Sequence, residues 1–280
     1  MTENLWTIQD LWNNTLVGNA AEVKPRDYIR ASEIGKAFLD RYYAMTGVEW
    51  THPFDARILR IFEAGHLYEW LVRLVLIRAG ILRHDEREIK IEREGMLPVI
   101  GHLDFIAGGK PNWKQAESIV PLLEKLFFPK RMLVVSEKLI EDLSKKYPDG
   151  LPEQLFEVKT VNSLAFWRHS KGNRQTSSVV MKAYDHHVMQ IYTYMKSLGF
   201  KNGLILYISK DDLTLAEYKV TANKELEHKW ISDVQKMTYY YTQKIQPPRE
   251  PDIVWDQEKF YWKPNWKILR SNYFGHIVKE

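Results

Sequence analysis

The run LFEVKTV at residues 155–161 constrains the fold most. Its large, apolar and β-branched residues favour an extended strand, and side chains along a strand alternate between faces. Glu157 and Lys159 therefore share one face, while Phe156, Val158 and Thr160 take the other. A strand with one apolar face needs a sheet covered on that side. The charged face has two readings. It is either a solvated face with a cross-strand ion pair, or a buried carboxylate and ammonium, whose desolvation is too costly unless something uses them.

A second strand-like run, VIGHLDFIAGG at residues 99–109, carries Asp104 among apolar neighbours. An aspartate there is unfavourable for strand propensity and for burial, so it requires a metal or a hydrogen-bonding network. Asp104 could instead open a turn before Gly108 and Gly109, but Phe105, Ile106 and Ala107 still lie between. Two carboxylates from neighbouring strands make a hard oxygen site of the kind that binds Mg²⁺ or Mn²⁺ through a few protein ligands and several waters. A lysine beside them can hold or deprotonate an attacking water and offset negative charge, which is the chemistry of phosphodiester hydrolysis.

The remaining pattern places these strands among helices. A short helix and a loop occupy the first thirty residues, and Ser32 is a plausible N-cap for a helix through Ile34, Phe38 and Tyr42. Ile58, Phe62, Leu67, Leu71, Leu74 and Val75 recur at helical spacing between Phe54 and Arg78, which predicts a long and substantially buried helix. Strand-like residues 88–92 and 97–107 suggest a hairpin. Residues 113–128 and 135–147 read as two helices separated by Pro129 and closed by Pro148, Asp149 and Gly150. Further helices are expected at 179–198 and 223–244, with strands at 203–209 and 213–220 between them. The order predicts an α/β fold with a mixed sheet flanked by helices. We expect one domain over residues 1–280, a helical insertion at 113–150, and an aromatic-rich tail at 247–280 that packs back on the core.

Composition removes several classes. With no cysteine, the 280-residue chain holds no disulfide, thiolate zinc site or iron–sulfur cluster of its own. A formal charge of +4 is modest, so any affinity for nucleic acid must come from the distribution of charge. No apolar run approaches the length of a membrane span, and the opening MTENLWTIQD lacks a basic region followed by an apolar core; the expected location is the cytoplasm, bacterial or of a phage host.

Asp104 followed by Glu157-Val158-Lys159 resembles the D…(D/E)xK signature of the PD-(D/E)XK nuclease superfamily. Two helical elements sharpen the resemblance towards its RecB-like branch. Gly65 and Glu69 match the G-x-x-x-E element of the phage-type exonucleases, and Gln190 and Tyr194 match the Q-x-x-x-Y element that follows the catalytic lysine. Each pair is four residues apart and so shares a helix face. Taken singly, Glu69 reads as a surface glutamate and Tyr194 as a core aromatic; their conjunction with the strand residues favours the functional reading.

The resemblance implies a restriction-endonuclease-like core and a Mg²⁺- or Mn²⁺-dependent deoxyribonuclease acting as an exonuclease in DNA repair, recombination or phage DNA processing. The alternatives are a structure- or sequence-specific endonuclease and a non-catalytic DNA-binding or assembly subunit. It also implies Asp104, Glu157, Lys159 and Gln190 as catalytic residues, and Glu69, Asp104, Glu157 and Val158 as metal-holding positions. Tyr194, Arg168, Lys171, Arg174 and Lys182 would contact DNA, with Phe166 and Trp167 available to stack on a base. His66 and His102 are secondary candidates, His66 on a helix face different from that of Glu69, and His186 and His187 precede Gln190.

Three features depart from the family. Residues 113–150 lengthen the usual hairpin, giving a possible lid, DNA guide, or surface for a partner protein or second copy. Ala37 stands where cluster-bearing relatives carry their first cysteine, and the tail has no cysteine at all, so aromatic packing would take the place of a cluster.

Overall fold

The computed structural model describes residues 7–17, 23–126, 129–171, 180–256, 260–269 and 271–277. In chain order the elements are α1 (Ile8–Val17), β1 (Ile29–Arg30), a 3-10 turn (Ala31–Glu33), α2 (Phe38–Thr46) and α3 (Ala56–Arg78). Next come β2 (Leu82–Ile91), β3 (Val99–Gly109), α4 (Trp113–Leu126), α5 (Pro129–Lys146), β4 (Leu151–Val161) and α6 (Ser163–His169). Then follow β5 (Ser170–Lys171), β6 (Val180–Met181), α7 (Asp185–Leu198), β7 (Asn202–Ser209), β8 (Leu215–Thr221) and α8 (Lys224–Thr242). The chain closes with β9 (Ile253–Asp256), β10 (Tyr261–Pro264), α9 (Trp266–Leu269) and α10 (Phe274–Ile277). The expected α/β class holds: helices flank a six-stranded mixed sheet of order β1-β3-β4-β7-β8, with β2 also on β3.

The chain forms two compact units, one drawn from residues 65–91 and 100–228 and the other from 1–64, 92–99 and 229–280. In the first, β4 lies antiparallel to β3 and parallel to β7, and β7 is antiparallel to β8. The parallel step from β4 to β7 needs a crossover, which includes α6 and α7. Phe105, Val158, Leu206 and Ile208 form the core on one sheet face, covered by Tyr68, Val72 and Leu76 of α3. Against the other, α7 buries every residue from Met189 to Met195. A Cβ on Gly203 of β7 would come within 2.8 Å of Ile191 Cδ1 and 3.0 Å of Met195 Sδ, so the missing side chain lets α7 lie close.

The long helix is present, capped by Asp55 Oδ1 on the Ile58 N–H at 2.7 Å, but it is not substantially buried. Only Leu74 is fully buried, and Ile61, Phe62, Leu67, Leu71 and Val75 are exposed. The sheet is met by the neighbouring stripe Tyr68, Val72 and Leu76, one residue further round the helix than Leu67, Leu71 and Val75. Both stripes are spaced by four, so periodicity alone could not choose between them. The helix expected from Ser32 also begins later. Gly35 takes a left-handed φ of 83°, which breaks the run, and α2 starts only at Phe38. The crossover helix starts at Asp185 rather than 179, and β4 extends back to Leu151.

In the second unit, Ala37, Leu39 and Tyr43 of the α2 region bury against Ile268, Tyr273 and Ile277 of the tail. Buried Arg41 and half-buried Asp233 form an ion pair at 2.7 Å, and Ser271 Oγ donates to Asp40 at 2.7 Å. The tail thus packs through α9 and α10, whereas Trp255, Phe260 and Trp262 on or beside the β9–β10 hairpin stay exposed. Among the described residues no helix is long and apolar enough to cross a membrane.

Candidate active site

The β3–β4 ladder pairs Phe105 with Phe156, and continuing that register by one residue sets Asp104 across from Glu157. There the main-chain ladder gives way to a side chain: the Val158 N–H donates to Asp104 Oδ2 at 2.7 Å. Val158 itself points into the apolar core on the α3 side, which leaves Glu157 on the opposite face. Glu157 is 1% exposed. One of its oxygens, Oε1, accepts from the Lys159 ammonium, while Oε2 is buried with no hydrogen-bond partner.

The electrostatics follow from this crowding. Burial raises the Asp104 carboxyl well above the usual carboxylate range, and the neighbouring Glu157 charge adds to the effect. Burial also raises Glu157, although Lys159 opposes it. For Lys159, burial works against its charge, but Glu157 and Asp104 outweigh that and hold the ammonium above its ordinary value. Glu69 raises both carboxyls and so stands near enough to act on each. An unpaired buried oxygen carries a desolvation cost that a cation removes. The Asp104–Glu157 pair is therefore a chemical fit for a divalent ion with hard-oxygen preference.

The predicted helical elements arrive as follows. A Cβ on Gly65 would meet Thr160 Oγ1 at 3.4 Å, so α3 approaches β4 closely there. Glu69 does not close on the two strand carboxylates as a third ligand: among the described residues no group of three or more His, Asp and Glu side chains is gathered to hold a metal. Its Oε2 is instead 3.2 Å from His66 Nδ1, so those two residues share a face rather than occupying different ones. On α7, Gln190 Nε2 donates to Tyr194 Oη at 2.9 Å in a buried pair. Burial first, and then the Glu157 charge, raise the Tyr194 hydroxyl, which stays neutral.

Other candidates go elsewhere. His102 is exposed and its Nε2 lies 3.5 Å from Glu88 on β2. His187 Nδ1 contacts the Tyr207 hydroxyl at 2.9 Å, and Tyr207 pairs in register with Lys159. Neither Tyr207 nor its link to His187 was predicted; a tyrosine in a strand carries no signal beyond core packing. Phe166 is fully buried and cannot stack on a base, whereas Trp167 is half-buried with its indole N–H 3.3 Å from Asp212 Oδ2. Lys182 is exposed. Arg174 and the side chains of Arg168 and Lys171 lie outside the described residues.

No family model and no curated protein matches this chain. Solved structures that resemble it include the crystal structure of SSO0001, with a TM-score of 0.47 and 14% identity over 88% of this chain and 90% of that one. An alkaline exonuclease, LHK-Exo from Laribacter hongkongensis, matches with a TM-score of 0.44 and 12% identity over 84% of this chain and 94% of that one. The same enzyme in complex with dAMP gives 0.43 at 12% identity, with the same coverage.

Proposed function

We propose that this protein is a Mg²⁺- or Mn²⁺-dependent nuclease that hydrolyses DNA phosphodiester bonds, an exonuclease of the RecB-like PD-(D/E)XK kind. One observation carries the proposal: the buried Glu157, set across from Asp104, has one oxygen on Lys159 and the other without a partner. A structural ion pair gains nothing from an orphaned carboxylate oxygen, whereas a metal ligand needs one.

Asp104 and Glu157 would hold the ion, and Val158 serves through its main chain by fixing the Asp104 carboxylate. When bound, a divalent ion supplies Lewis-acid polarisation of the phosphate and an acidified water. Lys159 acts as a cation rather than a base, since its neighbours keep it protonated; it orients the water and offsets the negative charge that builds on the phosphate. Gln190 and Tyr194 form a neutral hydrogen-bonding pair beside the carboxylates that limits the water able to enter. Glu69 adds a further negative charge, favouring a cation at the site without joining its inner ligands. Basic residues 168–182 would meet the DNA backbone.

The test uses linear and circular DNA, single- and double-stranded, with Mg²⁺, Mn²⁺ or chelator. Metal-dependent loss of linear substrates alone supports the exonuclease. Cutting of closed circles would establish an endonuclease instead, and inactivity on every substrate would remove the proposal.

A further inference from the structure

The turn between β7 and β8 combines strain, exposure and rigidity in one place. Leu213 adopts a left-handed φ of 56° with its side chain 57% exposed. That conformation is unfavourable for a leucine, and such strain persists only where surrounding structure over-determines it. The surroundings do so. Leu213 N–H donates to Ser209 O at 3.0 Å, and Ser209 N–H to Thr214 O at 2.9 Å. Asp212 accepts from the Thr214 N–H at 3.2 Å, and the Tyr68 hydroxyl donates to Lys210 O at 2.8 Å. The turn is tied to the catalytic strand as well: Lys210 N–H donates to Val161 O at 2.9 Å, two residues beyond Lys159. Asp211 accepts from the first N–H of α6, Ser163, at 2.9 Å, beside Leu164, which is 61% exposed. Two large aliphatic side chains are thus exposed on backbone tied to the end of β4, the strand that carries Glu157 and Lys159.

Resting on the nuclease proposal, we infer that Leu213, with Leu164 of the α6 end tied to the same turn, forms an apolar ledge for the nucleobases of the substrate strand. A phosphate seated at Glu157 and Lys159 brings its flanking bases to this end of β4. Leucine offers a base neither charge nor hydrogen bonds, so recognition is independent of sequence and acts by displacing one base from its neighbour. The ledge selects duplex ends, or single strands, in which that step is open.

The experiment uses the Glu157→Gln protein, which removes turnover, and blunt DNA duplexes carrying 2-aminopurine next to either terminus, with Mg²⁺ present. Binding should raise the fluorescence at one terminus as that base unstacks. Leu213→Asn, which tolerates a left-handed φ, should abolish the rise and weaken binding about fivefold, with a melting temperature unchanged or higher. Leu213→Phe should retain the rise. Loss of strain together with loss of signal is the pattern that a merely structural leucine would not give. Asp104→Asn serves as a second inactive background should Glu157→Gln fold poorly. An unchanged signal and affinity in Leu213→Asn, or no binding to DNA at all, would overturn the ledge. DNA binding with the predicted signal from a wild-type protein that cleaves nothing would instead refute the nuclease proposal and keep the ledge.

Discussion

A carboxylate as buried as Glu157 depends on its partners, and Lys159 is the one in contact. Removing it in Lys159→Ala leaves a buried charge uncompensated, which should lower stability at neutral pH by up to about 3 kcal/mol in a urea titration. Cleavage should fall about 10²-fold or more, because the lysine acts on the water and on the developing charge. Retained DNA binding in a filter or anisotropy assay would separate that loss from loss of the fold; unchanged turnover would move the catalytic role elsewhere.

A half-buried acid, Asp40, is pushed up to about 6 from 3.8, chiefly by burial and against its hydrogen bond from Ser271. Between those values the folded chain holds a proton that the unfolded chain releases. Stability should therefore fall as pH rises from about 4 to about 6, and then level off. Asp40→Asn should flatten that slope and gain about 1–2 kcal/mol at pH 7, measured by denaturation at pH 4.5 and 7.5. An identical slope in the variant would place the titrating group elsewhere.

Among the elements, the strands β3 and β4 were legible, and alternation alone sorts Glu157 and Lys159 onto one face of β4; that Asp104 lies across from Glu157 needed the register of the two strands. The long helix α3 was legible too, yet its buried stripe was not, since Leu67, Leu71 and Val75 repeat as regularly as Tyr68, Val72 and Leu76; the short α6, α9 and α10 carried no such period. The expected hairpin sets β2 beside β3, but that His102 meets Glu88 there depends on the register between them, which no local pattern fixes. The left-handed Leu213 was hidden because the turn contains neither glycine nor asparagine, the residues that mark such a conformation. The α3 assignment has its own check. Leu74→Ala should cost about 2–4 kcal/mol, whereas Leu67→Ala and Val75→Ala should each stay within about 0.5 kcal/mol. Equal losses at all three positions would mean that the exposed stripe is covered in solution.

At the scale of the whole molecule, the helical hairpin α4–α5 interrupts two strands that otherwise pair directly, Gly109 with Leu151. Its ends touch: a Cβ on Gly150 would lie 2.7 Å from the Gly109 carbonyl carbon. Gln115 fastens its base by accepting from the Leu82 N–H at 3.1 Å and donating to Leu82 O at 2.7 Å. This root stands about 16 Å along β3 from Asp104, five residues at strand spacing. Replacing residues 111–149 by a short turn should preserve a cooperative melt and the metal requirement while altering the preference among linear, circular, single- and double-stranded DNA. Unaltered preferences in a folded deletion protein would deny the hairpin any part in gating.

The most direct measurement compares initial rates of nucleotide release from linear duplex DNA for the wild-type protein and Glu157→Gln, each with Mg²⁺, Mn²⁺ and chelator. The wild-type protein should be active with either ion and inactive with chelator, and Glu157→Gln should fall to the chelator level while keeping its fold. Activity that persists in Glu157→Gln, or that ignores the chelator, would contradict a metal centre built on Asp104 and Glu157.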